Sequence, residues 1–211
     1  MKQQNYLETI YNEKSKPITE YPKKLINYLI KRFKLEKKQI ILELGCGRGE
    51  FLNEFEEFGL DAHGVDISDY CKKFFPKLKF KKTDMANEKL PFEDNFFDII
   101  YSKSIIEHFY YPDKVFKEAY RVLKPGGLII TLTPEWKYIY KSFYDDFTHR
   151  VPFTKTSLKD IHEMYNFKET QVESFIQLPL IFDKNFFNIF FKLLSILIKI
   201  LVPDYFRMSS K

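Results

Sequence analysis

Glycine is scarce in this chain, with 7 residues in 211. Three of them crowd into one short stretch as Gly45, Gly47 and Gly49, so that cluster needs a local reason. Cysteine is scarcer still, with Cys46 and Cys71 alone. Neither has metal-ligand spacing, which excludes a cysteine metal site and a disulfide framework. Residues 1–5 lack the apolar stretch of a signal peptide, and together with the cysteine usage this predicts a cytoplasmic protein. Charge of one sign is also missing: Lys plus Arg number 34 against 29 Asp plus Glu, a net charge of +5. The lysines come as short doublets, Lys37-Lys38, Lys72-Lys73 and Lys81-Lys82, which read as a solvated surface. Nucleic acid is therefore not an expected partner.

Apolar and aromatic residues, at 45% and 18%, are plentiful enough to fill the core of one domain. A lead-in segment, 1–38, carries a helical pattern from about Tyr21 to Phe33 through Leu25, Ile26, Leu29, Ile30 and Phe33. Residues 39–175 then alternate between strand and helix. Strands are expected at 39–44, 62–67, 78–83, 96–101 and 128–133. Helices are expected after Gly49, closed by Gly59; after a Ser68 or Asp69 cap; and from Asp113 to Leu123. Lys124-Pro125-Gly126-Gly127 stops that last helix. A further helix is expected at 155–165 and an extended stretch at 167–175. Such alternation predicts an α/β, doubly wound, mostly parallel sheet with helices on both faces.

The first strand–helix unit carries chemistry. Gly45, Gly47 and Gly49 permit tight turning and close approach of a ligand, and the free N–H groups of the next helix face whatever sits there. Asp66 ends the second strand, where a carboxylate can accept both hydroxyls of a ribose. Glycines alone would also suit a dinucleotide. Here, however, the spacing is Gly-x-Gly-x-Gly and Glu43 precedes it. A carboxylate in that place repels a pyrophosphate and suits a ligand bearing an ammonium and a sulfonium, so the loop favours a cationic nucleoside.

Several motifs in order carry a family resemblance: Glu43-Leu44-Gly45-Cys46-Gly47-Arg48-Gly49, Gly64-Val65-Asp66-Ile67-Ser68, Thr83-Asp84-Met85, Leu90–Asp98 and Arg121–Gly127. The chain resembles the class I S-adenosylmethionine-dependent methyltransferases, the broad subgroup acting mostly on small molecules. The resemblance implies a seven-stranded Rossmann-like sheet and S-adenosylmethionine as cofactor. It also implies cofactor contacts at Glu43, Gly45, Cys46, Gly47, Gly49, Asp66, Ile67, Asp84, Met85 and Ser102. Asp84 would meet the adenine amino group, with Met85 beside the ring.

Methyl transfer needs an acceptor aligned behind the methyl, and a base when that acceptor is a hydroxyl. His108 follows the fourth strand and His149 the fifth, so these two are the catalytic candidates; His63 and His162 read as structural. Ubiquinone-pathway O-methyltransferases and small-RNA 2′-O-methyltransferases carry Glu-x-x-Glu-His after strand four and a further His after strand five, holding a divalent cation. This chain has Ser104-Ile105-Ile106-Glu107-His108. The first Glu is replaced by Ser104, which removes charge that a hard cation wants. No metal ligand is therefore assigned, a divalent metal is not favoured, and a histidine base is.

Residues 176–211 form a hydrophobic extension. Phe186–Val202 is apolar except for Asn188, Lys192, Ser195 and Lys199, which fall on one stripe of a helix. A helix of that length, about 25 Å, is short for a span of ~20 apolar residues. An apolar helix lying peripherally on the inner membrane face, forming a dimer, or covering the acceptor is expected instead. The expected activity is O-methylation of a small or lipid-linked acceptor, an envelope saccharide or a quinone precursor. RNA 2′-O-methylation, and adenosylmethionine binding without catalysis, are the alternatives.

Overall fold

The computed structural model describes residues 16–177. The expected hydrophobic extension, with its stretch 186–202, lies almost wholly outside them. Five strands form one sheet in the order β3-β2-β1-β4-β5. These are β1 (Ile40–Leu44), β2 (Asp61–Asp66), β3 (Lys79–Lys82), β4 (Phe97–Lys103) and β5 (Leu123–Leu132). The pairings β1–β2, β1–β4 and β2–β3 are parallel. Central β1 is apolar or buried along its length because helices cover both faces of such a sheet. Outer β3, Lys79-Phe80-Lys81-Lys82, is lysine-rich, which discourages pairing with another chain.

The helices are α1 (Tyr21–Phe33), α2 (Glu50–Phe58), α3 (Cys71–Phe74), α4 (Asp113–Val122), α5 (Trp136–Ile139) and α6 (Lys155–Met164). In α1, Pro22 sits in the first turn, and Leu25, Ile26, Leu29 and Ile30 are buried on one side. Gly49 enters α2 and Gly59 ends it, both left-handed, and the Gly59 N–H reaches the Phe55 and Glu56 carbonyls. Thr154 caps α6 through a reciprocal bond pair with Ser157. Asp98, in β4, accepts the Ile40 N–H at 2.8 Å and pairs with Lys124 at 2.7 Å, tying three segments together.

Three expectations are corrected. Seven strands were implied by the resemblance, whereas the described residues form five. The segment after Pro134 supplies α5, α6 and a single bridge, Glu135–Phe153, and the stretch 167–175 adds no strand to the sheet. Helix α3 is a single turn starting at Cys71 with no side-chain cap. Ser68 instead accepts the Tyr70 N–H within a preceding turn. Strand β5 starts at Leu123, straight after α4, with Gly126 at φ 77° inside it.

The chain divides into two compact units. The first holds residues up to Lys103 together with Lys117–Ile130; the second holds Ser104–Phe116 and the residues from Thr131 onward. In the first, α1 lies on α2, and α2 on β2. In the second, His162 of α6 is boxed in by Phe116 and Phe167, its Nδ1 on the Leu158 carbonyl and its Nε2 on the Thr131 hydroxyl. It is a core histidine. Among the described residues no helix is long and apolar enough to cross a membrane.

Candidate functional site

In the first unit the parallel register brings the carboxyl ends of the strands level. Leu44 pairs with Val65 on one side and with Ser102 on the other, and Asp66 with Lys82. The glycine loop, Asp66, Ser102 and the Thr83-Asp84-Met85 turn all emerge from this edge. Gly45, Gly47 and Gly49 have φ of 70°, 51° and 85°, left-handed values that strain residues bearing a Cβ. The Gly45 and Cys46 N–H groups donate to the Val65 carbonyl at 2.9 and 3.1 Å, pinning the loop to β2.

Asp66 organises the edge. One carboxylate oxygen accepts the Gly47 N–H and the other the Ser68 N–H, each at 2.9 Å. Burial raises its pKa, and the N–H groups of Ser68, Gly47 and Ile67 work against that. The carboxylate still has acceptor capacity for a donor such as a ribose hydroxyl. Glu43 is 2% exposed, and its Oε2 has no hydrogen-bond partner among the described residues. Burial, followed by the Asp66 charge, pushes its pKa well up, and Lys103 draws it down. A buried carboxylate with an unmet acceptor is costly unless a cation arrives.

The two remaining glycine constraints differ. A Cβ on Gly49 would lie 2.8 Å from Leu78 Cδ1, while one on Gly47 would meet nothing within 4 Å among the described residues. Gly49 is thus needed by the fold, and Gly47 borders open space. These features fit an adenosylmethionine: an acceptor for its positive end, a carboxylate ready for its ribose, and a loop bare of side chains.

The other expected cofactor residues are placed as follows. The Cys46 side chain packs inward, because a Cβ on Gly64 would lie 2.9 Å from its Sγ; only its backbone belongs to the loop. Its thiol is hydrogen-bonded to that of Cys71, which raises the pKa of Cys46 and lowers that of Cys71. Ser102 is 1% exposed and its Oγ has no partner among the described residues. Met85 is buried and Ile67 half-buried. Asp84 holds its own turn, accepting from the Ala86 N–H and from Asn87 Nδ2.

The second unit gathers His108 and His149, with ring centroids 4.8 Å apart. The Glu107 carbonyl accepts the Arg150 and Val151 N–H groups at 2.8 and 3.1 Å, which brings the two segments together. Glu107 is fully buried, with Oε2 accepting from the Thr133 hydroxyl at 3.0 Å. One ligand atom from each of Glu107, His108 and His149 lies within 4.8 Å of the others, so the three could hold a metal ion. His149 Nδ1 lies 2.6 Å from the Phe143 carbonyl. Burial, then the neighbouring His149, brings the His108 pKa down to about 4. Apart from an Asp-x-Thr spacing, a common turn signal, nothing in the sequence marks Ser68 as a partner of Asp66, Thr133 as a partner of Glu107, or the Asp146 and Thr148 side chains as neighbours of His108.

A strand-order edge with this loop, a paired Asp and an unmatched buried Glu defines a nucleoside-binding α/β enzyme. Residues 42–131 match the methyltransferase-domain family. The uncharacterised protein MJ0638 of Methanocaldococcus jannaschii is 33% identical over 179 residues, covering 84% of this chain and 75% of that protein. Phosphoethanolamine N-methyltransferase 2 of Caenorhabditis elegans is 32% identical over 113 residues, 48% of this chain but 25% of that longer protein. A crystal structure of a SAM-dependent methyltransferase from Archaeoglobus fulgidus superimposes with a TM-score of 0.66 at 26% identity, over 80% of this chain and 78% of that one. The chain belongs to the class I S-adenosylmethionine-dependent methyltransferases.

Proposed function

We propose that this methyltransferase acts on an oxygen of a small or lipid-linked acceptor, with His108 and His149 serving the acceptor side. The observation that carries this is the neighbouring histidine pair beside the buried Glu107. Bound adenosylmethionine supplies an activated methyl on a sulfonium. Glu43 would balance its positive charge, and Asp66, held open by the Gly47 and Ser68 N–H groups, would grip its ribose. A histidine lone pair would take the proton of the acceptor hydroxyl. The apolar stretch 186–202 supports a lipid-linked acceptor and a peripheral place on a membrane, and the phosphoethanolamine methyltransferase keeps a nitrogen acceptor within the test.

One observation favours a second reading of the same histidines. A pKa of about 4 makes His108 a weak base, yet leaves it neutral and fit to ligate. With Glu107 and His149 it would hold a divalent cation that lowers the pKa of the acceptor hydroxyl. The experiment is methyl transfer from labelled adenosylmethionine to a panel of phenolic, saccharide and aminoalcohol acceptors, with and without a chelator. Transfer to hydroxyl acceptors that survives the chelator supports a histidine base. Loss restored by added Mg²⁺ or Mn²⁺ supports the cation. Transfer to the amine alone overturns the oxygen assignment.

A further inference from the structure

His108 is held by a chain of two further side chains. Its Nδ1 lies 2.8 Å from Thr148 Oγ1, and Thr148 Oγ1 lies 2.6 Å from Asp146 Oδ1. The same Asp146 oxygen accepts the Thr148 backbone N–H at 2.9 Å, closing a tight turn. Proton counting fixes the direction of the bonds. A carboxylate only accepts, so the single hydroxyl proton of Thr148 goes to Asp146. Thr148 Oγ1 then has only lone pairs to offer His108, and the proton between them must sit on Nδ1. The opposite arrangement, with Thr148 donating to His108, would set two acceptor oxygens 2.6 Å apart with no proton between them.

His149 reaches the same state by a different device. Its Nδ1 faces the Phe143 carbonyl at 2.6 Å, and a carbonyl can only accept. In its neutral form each ring therefore carries the proton on Nδ1 and has its lone pair on Nε2, and the Nε2 of His149 lies 4.0 Å from Asp146 Oδ2. The rings are neighbours, and a ligand atom from each lies within 4.8 Å of the Glu107 carboxylate.

We propose that Asp146 and Thr148 are positioning residues that lock His108 in its Nδ1–H tautomer, so that its Nε2 lone pair is presented beside that of His149. The catalytic meaning of this relay rests on the function proposed above; its geometry does not. In either use of the histidines, taking a proton or ligating a cation, the unprotonated Nε2 is the working atom. A turn alone would need only the Asp146 side chain and the Thr148 N–H, which any residue at 148 supplies. The hydroxyl is the part that reaches His108, so it separates the relay from the turn.

The test is imidazole-detected ¹H–¹⁵N correlation NMR on the full chain near neutral pH, for wild type, Thr148→Ser, Thr148→Val and Thr148→Ala. Wild type and Thr148→Ser are expected to show His108 and His149 protonated on Nδ1. Thr148→Val matches the side-chain volume and keeps the turn, and it should move His108 towards the Nε2–H form while His149 stays unchanged. With a methylated acceptor in hand, kcat of Thr148→Val should fall about 10- to 100-fold, the cost usual for partners that orient a ligating histidine. The KM for adenosylmethionine should hold, and Thr148→Ser should recover most of the rate. His108 found as Nε2–H in wild type, or unmoved in Thr148→Val, overturns the relay. If Thr148→Val fails to fold, Thr148→Ala reads the same tautomer, because it also removes the hydroxyl while keeping the backbone N–H that Asp146 accepts. No acceptor is needed for the NMR result, so absent methyl transfer with His108 in the Nδ1–H form would sink the proposed function and leave the relay standing.

Discussion

The glycine loop of the first unit and the histidine pair of the second are both organised by one aspartate each, but the atoms they organise differ. Asp66 gathers backbone N–H groups, those of Gly47 and Ser68. Asp146 gathers one backbone N–H and a side-chain hydroxyl, and through it an imidazole. A backbone-built site tolerates changes in side-chain identity except where a Cβ cannot fit. A side-chain-built site depends on each residue type, because proton placement passes from one to the next. The first arrangement suits a ligand common to a whole family; under the proposed function, the second serves the acceptor.

The comparison breaks most sharply if the two sites turn out to share a duty. His108→Ala and His149→Ala should each lower methyl transfer about 10²- to 10⁴-fold, the range for removing a general base. Adenosylmethionine affinity, read by calorimetry, should stay within about threefold. A matching loss of affinity would mean that the histidines belong to cofactor binding.

Next in size is the contrast between two glycines. A Cβ on Gly64 would lie 2.6 Å from Leu52 Cδ2, so Gly64→Ala overpacks the core and should cost about 1–3 kcal/mol of stability in denaturant melts. Gly47→Ala meets no atom of the described residues within 4 Å and carries only the left-handed backbone penalty, about 1–2 kcal/mol. Its cofactor affinity should fall about tenfold or more, because the new methyl enters the open side of the loop. Equal affinity in Gly47→Ala and wild type would remove that loop from the binding surface.

Glu43→Gln separates binding from folding. Burial raises the Glu43 pKa above its unfolded value, so its ionised form weakens the fold, and its contribution declines as pH rises through the folded pKa. The variant should melt a few degrees higher at pH 7 to 8 and bind adenosylmethionine more weakly. A lower melting temperature would mean that the carboxylate is satisfied within the protein.

The smallest effect concerns His162. Burial lowers its pKa below the unfolded value of about 6.5, so the unfolded chain takes up the proton first. Stability is full above that value and declines as pH falls from there towards the folded pKa. His162→Gln should flatten part of the decline in melting temperature between pH 7 and 5. Only part is expected, since His63 and His108 are shifted in the same direction.

The same division between backbone and side chain explains what could be read from the sequence. Helix α1 and the run Ile40–Leu44 follow from local periodicity, and the glycine loop from residues adjacent in the chain, so these were legible. Asp66 was found because the end of a strand is a fixed place in this topology. The expected cap of helix α3 is absent, since Ser68 spends its hydroxyl on a turn and Tyr70 stands at the N-cap. The two further strands that the resemblance implies are not among the described residues, and the described stretch after Pro134 has no clear period. The Asp146–Thr148–His108 relay was illegible because it joins residues 40 positions apart, and nothing in the spacing of 108 and 148 announces a hydrogen bond. The Glu107–Thr133 contact is equally non-local. Legibility therefore tracked how locally each interaction is encoded.

The most direct measurement is calorimetric titration of the purified full chain with S-adenosylmethionine, run beside Asp66→Ala. Saturable binding at one site per chain is expected, weakened about 10- to 100-fold in the variant, the loss expected for hydrogen bonds to a charged group. Binding that is absent in wild type, or unchanged in Asp66→Ala, would contradict it.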